Sequence, residues 1–576
     1  MTALTSPGPL TPTEVTPPRP APAGRRPGRG AALLATAWAV ATFALLAATA
    51  PAQGVGRDEA IYLVAGESYA SFWAGLARSP SRALRDLDHH FEVNREHPAL
   101  AKTIYGASHA LLAERLGWTG HVQGARCGAF LFGALVSALL AWTGFELAGL
   151  GGALLAPALF WAVPRHFYHG HPAALDLPVC ALWLATVLAY RRTLRPARDG
   201  GEAMRRAALA GLAFGLALSV KHNAWFLPPL LALHWGAARL LSRRGAEAHG
   251  LARFPLAFPA MLLLGPLVLL ASWPWLWHDT AARLGAYVAF HLGHENYSWQ
   301  YLGAILREPP FPIAYPFVVT ALTVPAAVLG VYAGGFAHAA WRLRSSLRVG
   351  SSEEASDELL FLLNALFPMA LIAWPTVPHF GGVKHWLSAM PFLALLGARA
   401  LVSCGRALWP AQGGAVTAAL ALLALTPAAW AVAHVHPYGT AAYNELAGGA
   451  PGAASLGMQR QYWGDAAVGV LDELNAHAAP GARVWFQETA YLAVRAWQRD
   501  GRLRQDLRWA PGPEQADVVL WQFHQEFRDK EFRTWSALLP SAPGAGAFPA
   551  EPAPVAVVAL DEVPLVTVYA RPGAWR

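Results

Sequence analysis

Four clusters of ionisable residues interrupt long apolar runs in this chain, and each holds groups able to move a proton or bind an anion. Arg57-Asp58-Glu59 comes first, directly after an apolar stretch. An aspartate there can take the proton of an attacking hydroxyl. Asp58 also follows Gly56, so the same residues fit the opening turn of an amphipathic helix, where acidic side chains are common. Glu96-His97-Pro98-Ala99-Leu100-Ala101-Lys102 gathers a carboxylate, an imidazole and an amine. That set suits a phosphate or a metal ion, or a plain helix start with Pro98 in the first turn. The third cluster, Arg165 to His171, is followed by Asp176 inside an apolar run. An ionisable group in such a run is costly and is by default functional; a hydrogen bond to a neighbouring helix is its other use. Lys221-His222 ends a further apolar run with positive charge. The fourth cluster is His278-Asp279 with His291, His294 and Glu295. His291 and His294 are three apart and face one way on a helix. They either tolerate a headgroup region or hold a metal ion, with Glu96 as the third ligand. Lys384-His385 adds one more basic pair.

The elements that carry these residues are membrane helices. Hydrophobic residues make up 55% of the 576 and charged residues 14%, against about 25% charged in soluble domains. Mean hydropathy is +0.31. A string of soluble domains is excluded. The net charge of +8 does not indicate a nucleic-acid binder, because the arginines lie in short loops between apolar runs. With about 20 apolar residues per crossing, eleven spans are expected near 31–52, 125–148, 152–168, 173–190, 207–220, 223–241, 254–276, 313–341, 358–376, 385–402 and 413–433. Arg25, Arg26 and Arg29, then Arg191 to Arg206, Arg239 to Arg253, Arg342 to Arg348, and Arg399 with Arg406 all fall on one side under alternation. The positive-inside rule makes that side the cytoplasm. The expected topology is N-inside and C-outside, in a multi-pass cell (inner) membrane protein.

Residues 1–30 are Pro-rich and basic and are expected to be a disordered cytoplasmic tail. Two large pieces face outward, a loop at 53–124 and a tail at 434–576. In the loop, Ile61, Tyr62, Tyr69, Phe72, Trp73 and Leu76 suit a helix lying in the membrane interface. In the tail, VWF, ADVVLWQF and VPLVTVYARP alternate with helical stretches and predict a small extracytoplasmic α/β domain. Cys127, Cys180 and Cys404 lie in apolar segments and read as small buried hydrophobes.

The order of these features resembles the GT-C membrane glycosyltransferases, in particular the protein O-mannosyltransferase and lipid A aminoarabinose transferase group. The resemblance rests on Asp58-Glu59 in GRDEAIYLVAG, on EHPALAK, on LDLP around Asp176, on SVKHN around Lys221 and on SWPWLWHD before a His-containing loop. HPYGTAAYNELAGG and QRQYWGD are similar to a tail found on bacterial members, so the likeness runs over residues 31–470. Ala99 departs from the family by standing where a second proline is usual. His97 stands where the aminoarabinose enzymes have lysine, which leans toward the mannosyltransferase side.

The resemblance implies a fold with 31–433 as a transmembrane catalytic domain. It implies a transferase that moves a hexose such as mannose from a polyprenyl-phosphate donor in the bilayer to a lipid, glycan or protein acceptor. Asp58 would be the base, with Glu59 and Asp176 beside it. His97, Lys102, Lys221 and His222 would face the donor phosphate, where added charge stabilises the leaving group. Glu96, His291 and His294 would hold a divalent metal ion if one is used. No nucleotide cofactor is expected, because no phosphate-cradling glycine motif opens a cytoplasmic helix. A polytopic transporter or flippase is the competing class. It predicts two repeated halves, which the sequence lacks, and needs no outer loop or tail of this size. A membrane scaffold or sensor would leave Asp176 without a purpose.

Overall fold

The computed structural model describes residues 28–242, 254–349, 352–523, 528–538 and 552–576. The expected tail up to residue 27 and the arginines at 243, 244 and 253 lie outside the described residues.

Each of the eleven stretches expected to span lies on helix. Among the described residues, Arg29–Ala52, His121–Ala148, Glu353–Ile372, Gly382–Leu408 and Pro410–Val435 are long and apolar enough to cross a membrane. Leu262, Leu263, Leu422, Leu423 and Trp430 stand exposed on the bundle, as lipid-facing side chains do. This is a multi-pass membrane protein. Proline shapes two of the spans. The stretch at 152–168 divides into Leu150–Trp161 and Pro164–His169, and the stretch at 313–341 divides into Tyr315–Thr323 and a helix from Ala326, just after Pro325. A residue before proline resists the helical conformation, so the chain breaks there. Glycine brings helices together. A Cβ on Gly144 would lie 2.2 Å from the Gly152 carbonyl, so these two helices touch backbone to backbone.

The outer loop folds differently from its sequence expectation. The helix Arg57–Arg78 buries Tyr62, Tyr69 and Phe72 instead of offering them to a membrane surface. Tyr69 stacks on Phe91 at 4.5 Å, and Phe72 meets Phe91 and Trp277 edge-on. The helix also packs on Leu100–His109 so closely that a Cβ on Gly106 would meet the Gly66 carbonyl at 1.8 Å. Cys404, expected to be buried, is exposed on its helix, whereas Cys127 and Cys180 are buried.

Beyond residue 435 lies a five-stranded mixed sheet, in the order Arg508–Trp509, Arg483–Phe486, Val518–Gln522, Val563–Ala570 and Ala556–Leu560. The first three strands are parallel and the last three antiparallel. Val518–Gln522 is central and buried at every position, which explains its continuous apolar run. The turn after the strand Arg483–Phe486 and the end of the helix Tyr491–Arg499 also grip the membrane part. Asp500 caps the helix starting at His121 by accepting from the amides of His121 (2.6 Å) and Val122 (3.1 Å). Arg57 pairs with Glu488, and Arg499 with Glu67 at 2.6 Å.

Candidate functional site

Four helix ends converge on one cleft. Asp58 sits in the first turn of Arg57–Arg78, and Asp176 is the first residue of Asp176–Thr193. Lys221 follows the helix Gly200–Leu218, and Lys384 lies in the short turn Gly382–Ala389. Lys384 Nζ donates to Asp58 Oδ2 at 2.8 Å, and Lys221 Nζ to Asp176 Oδ1 at 2.6 Å. Both carboxylates line an open cleft together with Gly56, Tyr168, His169, Lys384 and Trp463. The Asp58 side chain is 39% exposed, so a hydroxyl can reach it. Its Oδ1 makes no hydrogen bond among the described residues.

Glu59, the neighbour of Asp58, is held in another way. Its side chain is 1% exposed. Both its oxygens accept from Arg126 at 2.7 Å, and Oε1 also accepts from the amide of Ala173 at 2.8 Å. Arg126 directs its remaining donors to the carbonyls of Ala50, Gln53 and Gly54. All five guanidinium N–H groups are therefore used. Glu59 thus ties the turn before Asp58 to the turn before Asp176, and it has no free oxygen to offer a substrate.

Lys102 differs from Lys221 by the same count. An ammonium has three donors. Lys102 is buried and gives them to Asn94 O (2.7 Å), Asn94 Oδ1 (2.9 Å) and His97 O (2.9 Å). Burial lowers its pKa to about 7. It locks the loop 94–97 and is not free for a phosphate, contrary to the expectation from sequence. Lys221 uses one donor on Asp176.

The imidazoles assemble in an unexpected set. His97, His222 and His291 come together, with candidate ligand atoms all within 4.8 Å of one another. The His222 and His291 rings stack at 3.8 Å, and His97 lies 5.4 Å from His291. The Nδ1 atom of each is buried without a hydrogen bond. His291 Nε2 donates to the Glu96 carbonyl at 3.0 Å, which leaves its Nδ1 as the lone-pair nitrogen. Burial lowers the pKa of His291 to about 4 and that of His97 well below its usual value, so both rings are neutral at pH 7. Neutral imidazoles with orphaned, convergent nitrogens fit a divalent ion. The expected set of Glu96, His291 and His294 does not form. The Glu96 carboxylate accepts from Asn94 at 2.6 Å, and His294 lies parallel to Phe380 at 5.2 Å.

Three residues of the site were given no role from the sequence, although Lys384 was noted there as one of a basic pair. Arg126 lies just inside an apolar span, which is a signal for an important intramembrane charge. Lys384 begins an apolar run much as Lys221 ends one. Trp463 stands in QYWGD, a motif with no local indication of where its ring would go.

No family model matches the chain, and no curated protein sequence matches it. Among solved structures it is similar to ArnT from Cupriavidus metallidurans bound to undecaprenyl phosphate. That likeness has 13% identity and a TM-score of 0.48, and covers 94% of this chain and 98% of that one. A second neighbour is the archaeal oligosaccharyltransferase AglB from Archaeoglobus fulgidus in complex with an inhibitory peptide and a dolichol-phosphate. It has 11% identity and a TM-score of 0.43, with 87% of this chain and 71% of that one covered. The oligosaccharyltransferase of the same organism in complex with Zn and sulfate has 11% identity and a TM-score of 0.44, over 88% and 69%.

Proposed function

We propose that this chain is a membrane glycosyltransferase that moves a sugar from a polyprenyl-phosphate donor to an acceptor hydroxyl on the outer face of the membrane. The observation that carries the reading is the cleft with two carboxylates, each held by a single lysine, at the helix ends opposite the arginine-rich ends. A lipid-linked phosphate lies at headgroup level, which is where helix ends stand.

In this reading Asp58 accepts the proton of the acceptor hydroxyl through its open Oδ1, while Lys384 orients the carboxylate through Oδ2. The acceptor oxygen bonds to the anomeric carbon from the face opposite the phosphate. The bond from that carbon to the phosphate oxygen breaks, and its electron pair leaves with the polyprenyl phosphate. Configuration inverts. Lys221, with spare donors and fixed by Asp176, stabilises the charge that gathers on the phosphate. His97, His222 and His291 would hold a divalent ion, which supplies further positive charge near the leaving group. The sugar is a hexose such as mannose, the amino terminus is cytoplasmic, and residues 434–576 form an extracytoplasmic domain over the cleft.

The test is transfer of label. Wild type and Asp58→Asn, purified in detergent, are incubated with radiolabelled undecaprenyl-phosphate mannose or glucose and a membrane-extract acceptor pool. Label moves to an acceptor with wild type and not with the folded variant. Equal transfer by both removes Asp58 from the chemistry. Movement of intact lipid across vesicles, without transfer, makes the protein a flippase.

A further inference from the structure

The QYWGD motif delivers one aromatic ring into the cleft. Tyr462, Gly464 and Asp465 are buried, and Trp463 between them is only partly so. The backbone of Trp463 has φ +60, a left-handed conformation that is rare for a bulky side chain, and Gly464 follows at φ +72. Both sides of this turn are fixed. The Trp463 carbonyl accepts from the amide of Arg57 at 3.0 Å. The Gly464 carbonyl accepts from Thr489 at 3.2 Å and from the fully buried Gln522 at 3.3 Å. Close approach leaves no slack, since a Cβ on Gly54 would lie 2.0 Å from the Asp465 carbonyl and one on Gly464 would lie 2.3 Å from that of Glu488. Unusual backbone that its surroundings over-determine tends to mark a functional position.

The ring reaches the reacting groups. It lines the cleft with Asp58 and Asp176, runs near parallel to Tyr168 at 6.3 Å and lies 4.5 Å from the Lys384 ammonium. That ammonium shows the indole face accepting positive charge. The ring carbons of a sugar present C–H groups of the same polarity, and the anomeric carbon gains positive charge as its bond to phosphate breaks. Phosphate itself would be repelled by the π face.

We infer that Trp463 is the platform on which the sugar ring of the lipid-linked donor rests, so that the segment after the last membrane helix supplies a specificity-determining residue of the active site. This rests on the transferase reading above. The ring recognises the glycosyl group, and the lysines recognise the phosphate.

The experiment compares binding of undecaprenyl-phosphate mannose, undecaprenyl-phosphate glucose and bare undecaprenyl phosphate to wild type, Trp463→Phe and Trp463→Ala. Each protein is first checked for a single symmetric elution peak in detergent. Wild type binds at least one sugar-bearing lipid more tightly than the bare one. Trp463→Ala loses that preference by about tenfold, a magnitude typical of a lost contact to an aromatic face, while its affinity for the bare lipid is unchanged. Trp463→Phe keeps part of the preference. An equal loss for all three lipids overturns the inference and makes Trp463 a support for Lys384. An unchanged preference overturns it too. Preference lost in Trp463→Ala but no sugar transfer by wild type would sink the transferase reading and keep Trp463 as a sugar contact. No preference in wild type, with transfer intact, sinks the platform alone.

Discussion

At one end of the helix Asp176–Thr193 a carboxylate meets a lysine, and at the other end an arginine meets two carboxylates. The two ends are about 22 Å apart at 1.5 Å per residue. Arg191 binds Asp357 through two nitrogens (2.8 and 2.5 Å) and Glu146 through a third (2.8 Å). Beside it, the buried Glu358 accepts from Arg342 at 2.7 Å and from two nitrogens of Arg399. A guanidinium fork engages both oxygens of a carboxylate at once. The lysine pairs of the cleft bond one oxygen each, so an acceptor or a phosphate can still engage the partners. Carboxylates bonded at both oxygens hold helices together; a carboxylate bonded at one oxygen beside a cleft keeps the other for an incoming group. Glu59 with Arg126 is a saturated pair placed only one residue from Asp58.

The comparison breaks most directly at those adjacent residues. Asp58→Asn is expected to lower sugar transfer per folded molecule by about 10²–10⁴-fold, the usual contribution of a positioned base. Transfer within tenfold of wild type would place Asp58 among the structural charges. The converse is expected of Glu59→Gln and Glu358→Gln. Each leaves an arginine buried without its charge partner and should cost about 3–5 kcal/mol of stability, read as a lower thermal midpoint. Glu358→Gln should retain its transfer rate per folded molecule; a selective loss of rate would mean that the far end takes part in the reaction.

A smaller effect is expected at the imidazoles. Wild type dialysed against zinc should retain one equivalent after desalting, and His222→Ala should retain none by elemental analysis. Retention by both would show that the three rings are not the ligands.

The mildest effect concerns Asp465, a buried carboxyl with no ion-pair partner among the described residues. It accepts a hydrogen bond from Gln53 at 3.3 Å, and burial pushes its pKa up to about 7 from the usual 3.8. The folded state therefore holds a proton that the unfolded chain has released between about pH 4 and 7. That contribution to stability is complete below pH 4 and is lost as pH rises through 7. The midpoint of wild type should fall between pH 5 and 8 relative to that of Asp465→Asn. Parallel curves for the two proteins would show that Asp465 is ionised throughout.

Much of the scaffold was readable from the chain because crossing a membrane is decided locally. Some 20 consecutive apolar residues suffice whatever they pack against, and all eleven expected stretches lie on helix. Asp176 and Lys221 were readable for the same reason, since a charge in or beside such a run is conspicuous without a partner. The strand runs from Val484, Val518 and Val563 declared themselves by β-branched composition. The divisions between roles were not readable. Asp58 and Glu59 are adjacent and chemically alike, and only the position of Arg126, 67 residues beyond Glu59, makes one saturated and the other open. Lys102 and Lys221 have the same side chain, and the number of carbonyls around each separates a loop clamp from a cation with a single partner. His97, His222 and His291 come from three segments whose meeting depends on how helix ends pack. Trp463 depends on a left-handed turn held by a glutamine from the sheet and a threonine from the turn after its Arg483–Phe486 strand. Composition along the chain determined what crosses the bilayer, because transfer into lipid sums over neighbouring residues. Which polar groups remain free to react was decided by tertiary structure alone, because a hydrogen bond is used up by whatever the fold brings within 3 Å.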